Sequence, residues 1–148
     1  MIRWSIAALH LIALGIGLGA LWGRHLALRA PLDAAALKRV FYADNWWGVA
    51  ALLWIATGLL RVFAGLEKGT DYYLGNTWFL VKMALFGVIF ALELWPMVTL
   101  IRWRLRSARG EAVQTDSARA FARISALQAG LLLLMVLAAT AMARGYGA

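Results

Sequence analysis

Residues 78–101 read WFLVKMALFGVIFALELWPMVTLI, an apolar stretch that is long enough to cross a bilayer. A membrane-spanning helix needs about 20 predominantly apolar residues. The stretch nevertheless contains Lys82 and Glu93, and a charge at the centre of a bilayer costs about 2.5–3.5 kcal/mol even on lenient insertion scales. We therefore expect each of these side chains to have a partner or a functional role.

Three further stretches have the same apolar character. The predicted spans cover residues 4–23, 46–66, 78–101 and 121–143. The chain has 148 residues, of which 64% are apolar and 15% are charged, whereas soluble domains are about 45–50% apolar and about 25% charged. The sequence predicts one all-α domain, residues 1–148, folded as an integral membrane antiparallel four-helix bundle. It contains no cysteine, which excludes disulfides, thiol catalysis and cysteine-ligated metal clusters.

The net charge of +8 is distributed unevenly among the connections. Lys and Arg concentrate in cytoplasmic loops of membrane proteins. Such residues follow the first span (Arg24, Arg29, Lys38, Arg39) and the third (Arg102, Arg104, Arg106, Arg109, Arg119, Arg123). Both termini are therefore expected to be periplasmic, in a multi-pass protein of a bacterial inner membrane. The basic loops suit anionic lipid headgroups, so no nucleic-acid partner is needed. Asp44, at the start of the second span, is expected to be a helix cap.

Three basic side chains are predicted to lie at similar depth on three different helices. At 1.5 Å per residue, His10, Arg61 and Lys82 all fall within roughly 10 Å of the outer surface. This placement predicts one shared basic site. The alternatives are that Arg61 and Lys82 extend to the interface independently, and that His10 only satisfies a neighbouring carbonyl or hydroxyl group.

The residues around these three side chains favour haem b or another porphyrin as a ligand. Imidazole is a common ligand of haem iron, and cations such as Arg61 and Lys82 bind carboxylates such as haem propionates. Gly17 lies on the His10 face of its helix and would leave a slot for a flat ligand, while Phe86 shares the Lys82 face. The candidates for a second axial ligand are Met83, Met135 and Met142.

Two other features predict contacts between helices. Glu93 is deep in its span, and its expected partners are Gln128 or the basic inner ends of neighbouring helices. Gly15, Gly19 and Gly23 form a small-xxx-small series that lets a second helix approach closely. This second helix could belong to the same protomer or to another copy in a homo-oligomer.

Several sequence elements between residues 43 and 104 resemble an uncharacterised family of bacterial four-span membrane proteins. These elements are ADNWWG, TGLLRVF, KG-x-x-YYL-x-N, KMALF and IRWR. A more distant likeness is to HemJ-type protoporphyrinogen oxidases and CopD-like copper proteins. His10 and the Trp78/Lys82 pair match the HemJ pattern of an early His and a Trp-x-x-x-Lys element. The HemJ likeness implies association with haem b.

Three functions are compatible with the sequence. The first is a haem-b- or porphyrin-binding membrane protein acting in electron transfer, haem handling or porphyrin oxidation. The second is a non-enzymatic accessory or structural subunit that docks through its glycine face. The third is a small anion or proton transporter that uses Lys82 and Glu93 as a relay. Whether the protein is an enzyme stays open at this point.

Overall fold

The computed structural model describes residues 1–64 and 69–146, and these residues form five helices and no strand. The helices are α1 (Ile2–Arg29), α2 (Ala34–Phe63), α3 (Thr70–Gly75), α4 (Thr77–Ala108) and α5 (Ala118–Ala143). All except α3 are long and apolar enough to cross a membrane. The predicted all-α fold with four membrane helices is thereby confirmed.

The four long helices extend beyond the predicted spans. They contain between 26 and 32 residues, which corresponds to about 39–48 Å at 1.5 Å per residue. The hydrocarbon core of a bilayer is about 30 Å thick, so these helices are long enough for their ends to reach into the headgroup layers. The bundle end that holds the chain termini is called the outer end, after the predicted topology, and the opposite end is called the inner end.

The start of α2 corrects one prediction. The cap of this helix is Asp33, whose carboxylate accepts a hydrogen bond from the backbone N–H of Ala36 at 2.7 Å. Asp44, which was expected to be the cap, lies well inside α2. The reason is that the residues between them are helical and continue directly into the apolar span, so Asp44 projects from the side of a helix.

The helices pack in the order α2, α1, α5, α4. The contact between α1 and α2, the α1–α2 seam, is the most extensive of these helix contacts, because small residues of α1 pack against the indole ring of Trp47. A Cβ added to Gly17 would lie 3.2 Å from the Trp47 ring and 3.5 Å from the Cβ of Ala50. The nearby Ala13 and Ala20 are buried in the same region. Close approach of backbones at small residues is a general feature of membrane helix packing.

The glycine series lies only partly in this seam. A Cβ added to Gly23 would lie 3.9 Å from the Cβ of Ala43, whereas one added to Gly15 or Gly19 would meet no described atom within 4 Å. Gly15 and Gly19 therefore lie on the surface, and their role in a homo-oligomer stays a prediction. Large apolar side chains such as Leu52 and Leu137 are also strongly exposed, as expected for helices whose outer faces contact lipid.

Candidate functional site: a cavity at the outer end and an ion-pair network at the inner end

The side chain of His10 is held by a hydroxyl group of α2. Thr57 donates its hydroxyl proton to the carbonyl of Leu53, at 2.7 Å, as Thr residues in helices commonly do. Its oxygen lies 2.9 Å from Nδ1 of His10 and can accept a hydrogen bond there. This pairing places a proton on Nδ1, which in the neutral imidazole corresponds to the tautomer whose acceptor nitrogen is Nε2. Histidines that ligate metals typically have the other ring nitrogen oriented by such a bond.

Two adjoining cavities surround this histidine in the outer half of the bundle. Their volumes are about 330 and 400 Å³, within the range of about 300–1,000 Å³ that is usual for small-molecule sites. Both are lined by the following residues: His10, Trp54, Arg61, Tyr73, Lys82, Met135 and Met142. The structure thus brings together the three basic residues that the sequence placed at one depth.

The remaining predicted residues are distributed unevenly. Phe86 and Met83 line the first cavity, while Met135 is buried and Met83 is 42% exposed. Gly17 lies in neither lining, and the expected slot beside it is filled by the ring of Trp47. The glycine that faces the imidazole is Gly58, where an added Cβ would lie 3.5 Å from Cε1 of His10. Which glycine lies beside His10 depends on the position of α2 relative to α1, and the helical periodicity of α1 alone does not indicate it.

Trp54 contributes the only buried indole N–H among the described residues that lacks a hydrogen-bond acceptor. Its ring lies 5.6 Å from that of His10 and 6.2 Å from that of Phe86. An unsatisfied buried donor costs about 1–3 kcal/mol, and an oxygen atom of a ligand or of water would remove this cost. The unsatisfied N–H of Trp54 therefore favours a polar occupant of the cavity. This evidence does not depend on the three basic residues.

The short helix α3 forms a roof over the cavities. Tyr73 is buried and packs against Phe79, with 5.4 Å between ring centroids. The Tyr72 hydroxyl donates to the carbonyl of Met142 at 3.4 Å. Asn76 caps α4 through the N–H groups of the next helical turn and donates to the carbonyl of Tyr146 at 3.3 Å. Helix α3 thus covers the outer end of the two cavities, while residues 65–68 lie outside the described ranges.

Arg24 is the centre of a second polar cluster, at the inner end. Its guanidinium, which is fully buried, donates two hydrogen bonds of 2.7 Å to the carboxylate of Glu93 and one of 2.9 Å to Asp44. It also donates to Ser125 and Gln128 at 2.9 and 3.0 Å. One side chain of α1 therefore binds α2, α4 and α5.

Arg104 extends this network on its α2 side. It donates to the side chains of Asn45 at 2.7 Å and Asp44 at 3.2 Å, while Gln128 donates to Glu93 at 2.9 Å. The sequence placed Glu93 near Gln128 and near basic groups, and the structure joins it to both. Arg24 and Arg104, in contrast, were interpreted only as topology signals. A buried arginine and a loop arginine look alike in a count of positive charges.

The second histidine has a local partner. His25 stacks on Trp22, with 5.0 Å between the ring centroids, and its Nδ1 lies 2.8 Å from the carbonyl oxygen of Ala122. This bond joins α1 to α5. Within residues 1–64 and 69–146 no group of three or more His, Asp or Glu side chains could hold a metal ion.

Comparison with known proteins identifies the family. No curated protein and no solved structure matches the chain. One family model, described as predicted membrane protein (DUF2214), matches residues 2–147. This match covers the four membrane helices, the outer cavity and the inner ion-pair network. The chain belongs to the DUF2214 family of membrane proteins.

Proposed function

We propose that this protein binds haem b or a related porphyrin in the outer cavity, in a bacterial inner membrane. The observation that carries the proposal is the orientation of His10 by Thr57 beside a cavity with apolar walls and two cations. Bound haem would supply one-electron chemistry, and the protein would act in electron transfer, haem handling or porphyrin oxidation. The distant HemJ likeness is consistent with this proposal.

Each residue has a defined part in the proposed complex. Nε2 of His10 would ligate the iron, because Nδ1 is committed to Thr57. Arg61 and Lys82 would bind the propionates, since both line the two cavities. Met135 and Met142 are better placed than Met83 as a second axial ligand, because they line both cavities whereas Met83 lines one and is partly exposed.

The absorbance spectrum of the protein purified with haem supplied tests this proposal. We expect a Soret band that is lost or shifted in His10→Ala. The matched control is His25→Ala, because His25 is the other histidine and its Nδ1 contacts a backbone carbonyl at the inner end. Absence of a Soret band from the wild-type protein, or equal spectra for His10→Ala and wild type, would refute haem ligation by His10.

A second function, as an accessory or structural subunit, is favoured by the inner network. Arg24 and its partners connect all four long helices, which is what a rigid non-catalytic module needs. Gly15 and Gly19 would then dock a second helix on the exposed face of α1. Leucine substitutions at these two positions should abolish co-purification of a partner or self-association in this case, while haem binding would be absent throughout.

The transporter hypothesis has less support. Lys82 and Glu93 lie eleven residues apart on α4, about 16 Å along the axis, and Glu93 is held in a two-point ion pair with Arg24. A relay requires a carboxylate that can exchange its partners, whereas Glu93 is held by Arg24 and Gln128. Flux into proteoliposomes that depends on both Lys82 and Glu93 would reverse this preference.

Anionic lipid headgroups are the proposed partners of the inner surface. Arg102, Arg106 and Arg109 line a groove of about 400 Å³ together with Gln114 and Ser117. The groove also contains Asp116, and Arg109 is paired with Glu111 at 3.1 Å. Vesicle binding that weakens when Arg102 and Arg106 are replaced by Gln, and that requires anionic lipid, would support this contact.

A further inference from the structure

The bundle is closed along three of its four sides. Helix α2 packs on α1, α1 on α5 and α5 on α4, whereas α2 and α4 lack an equally extended approach of their backbones. The α2–α4 side is held at the inner end by hydrogen bonds from Arg104 to Asp44 and Asn45. It is spanned at middle depth by the edge-to-face contact of Trp54 with Phe86.

The outer half of this side contains the cavity of about 330 Å³. The Trp54–Phe86 contact forms its floor and Tyr73 of α3 belongs to its roof. Its lining includes Leu59 of α2 and Met83 of α4, which are also 53% and 42% exposed on the bundle surface. Among the described residues, Leu59 and Met83 therefore belong both to the cavity lining and to the apolar surface of the bundle. We call the route between these two side chains, which would form its rim, the lateral window.

The interior of the cavity differs from its rim. It contains the cations of Arg61 and Lys82 and the buried indole N–H of Trp54. An occupant that passes an apolar rim and then meets positive charge and a donor is an amphiphile with an anionic oxygen. Water-soluble anions do not suit this route, because they would have to cross hydrocarbon first.

We infer that the site is loaded sideways from the bilayer through the lateral window, and that its ligand is a membrane-dissolved carboxylate with an apolar body. This inference rests on the proposed function for the choice of porphyrin as one such carboxylate. A long-chain fatty acid has the same chemistry and is the second source.

The test uses the absence of cysteine from the chain. Leu59→Cys and Met83→Cys would each be reconstituted in vesicles and labelled with a bulky maleimide. The matched controls are Leu60→Cys and Leu80→Cys, which are neighbouring exposed positions outside the cavity lining. Uptake of haem from haem-laden vesicles is followed by growth of the Soret band. We expect labelling at the rim to slow uptake by about tenfold or more, whereas labelled controls keep the wild-type rate.

A second probe separates this inference from the proposed function. Parinaric acid in the bilayer accepts energy from tryptophan, and its methyl ester serves as the uncharged control. Saturable transfer to the acid that is lost on rim labelling would support the window even if the wild-type protein gave no Soret band, and fatty acid would then be the ligand. Unchanged haem uptake after rim labelling would overturn the inference, as would the absence of both haem uptake and saturable parinarate transfer.

Discussion

Replacement of Arg24 by methionine is expected to destabilise the bundle more than any other single loss of charge at the inner end. Arg24 is fully buried, and the side chains of Glu93 and Asp44 are only 14% and 15% exposed. Asp44 keeps its ion pair with Arg104 in this variant, at 3.2 Å. Glu93 keeps only the amide of Gln128, so it becomes a buried carboxylate without a cation among the described residues.

The expected size of the destabilisation follows from the loss of the cation that pairs with Glu93. Removing one partner of a buried ion pair costs about 3–5 kcal/mol, because the remaining charge is left in a medium of low dielectric constant. Replacing every member of such a pair by neutral groups is often nearly neutral in stability. We therefore expect Arg24→Met to lower the free energy of unfolding by about 3–5 kcal/mol. Adding Glu93→Gln to Arg24→Met should restore most of this loss.

Equilibrium unfolding in mixed micelles of a mild detergent and dodecyl sulfate, followed by circular dichroism, measures both effects. Arg102→Met is the matched control, because Arg102 is an exposed arginine on α4 with no ion pair among the described residues, and surface substitutions of this kind usually change stability by less than about 0.5 kcal/mol. A loss below about 1 kcal/mol in Arg24→Met would refute the reasoning. So would a double variant that is no more stable than the single one.

Three further predictions concern the outer cavity and the α1–α2 seam. Thr57→Val should weaken haem retention by about tenfold or more, since loss of the bond that orients a ligating histidine typically has this effect. Thr57→Ser keeps the hydroxyl group and should retain the wild-type affinity. Equal retention by all three proteins would contradict the role assigned to the bond between Thr57 and His10. Trp54→Phe should leave the free energy of unfolding of the ligand-free protein unchanged or raise it by up to about 1 kcal/mol, because an unsatisfied donor is removed. The same variant should retain the ligand less well than the wild-type protein. A gain in retention would show that the indole N–H has no acceptor in the complex. Gly17→Leu should destabilise the bundle by about 1–3 kcal/mol through overpacking against α2, whereas Gly15→Leu should not. Equal melting temperatures of the two variants would contradict the assignment of Gly17 to the α1–α2 seam.

The sequence predicted that three basic side chains share one site, and it predicted their partners on neighbouring helices less well. His10, Arg61 and Lys82 were expected at one level, because the rise per residue of a helix is fixed, and they line the same cavities. The glycine beside His10 was expected to be Gly17 and is Gly58. A helical repeat identifies one face of one helix, but it does not indicate which residue of a neighbouring helix lies opposite.

Arg24 shows the same limit for charged residues. It stands at the end of an apolar stretch, where the rule for cytoplasmic arginines explains it adequately. Only the arrangement of α1, α2, α4 and α5 places Asp44, Glu93, Ser125 and Gln128 around its guanidinium. Glu93 was a better signal, since a carboxylate deep in an apolar span requires compensation.

The sequence by itself determined that this chain forms four membrane helices, because apolar length and helical rise depend on local composition alone. It also determined which ionisable groups lie at the outer end. The tertiary structure alone decided that Thr57 orients His10, that Trp54 lines the cavity with an unsatisfied N–H, and that α2 and α4 approach each other less extensively than the other neighbouring helices. The physical reason is that these features depend on the rotation and separation of helices, which are set by packing between residues far apart in the chain.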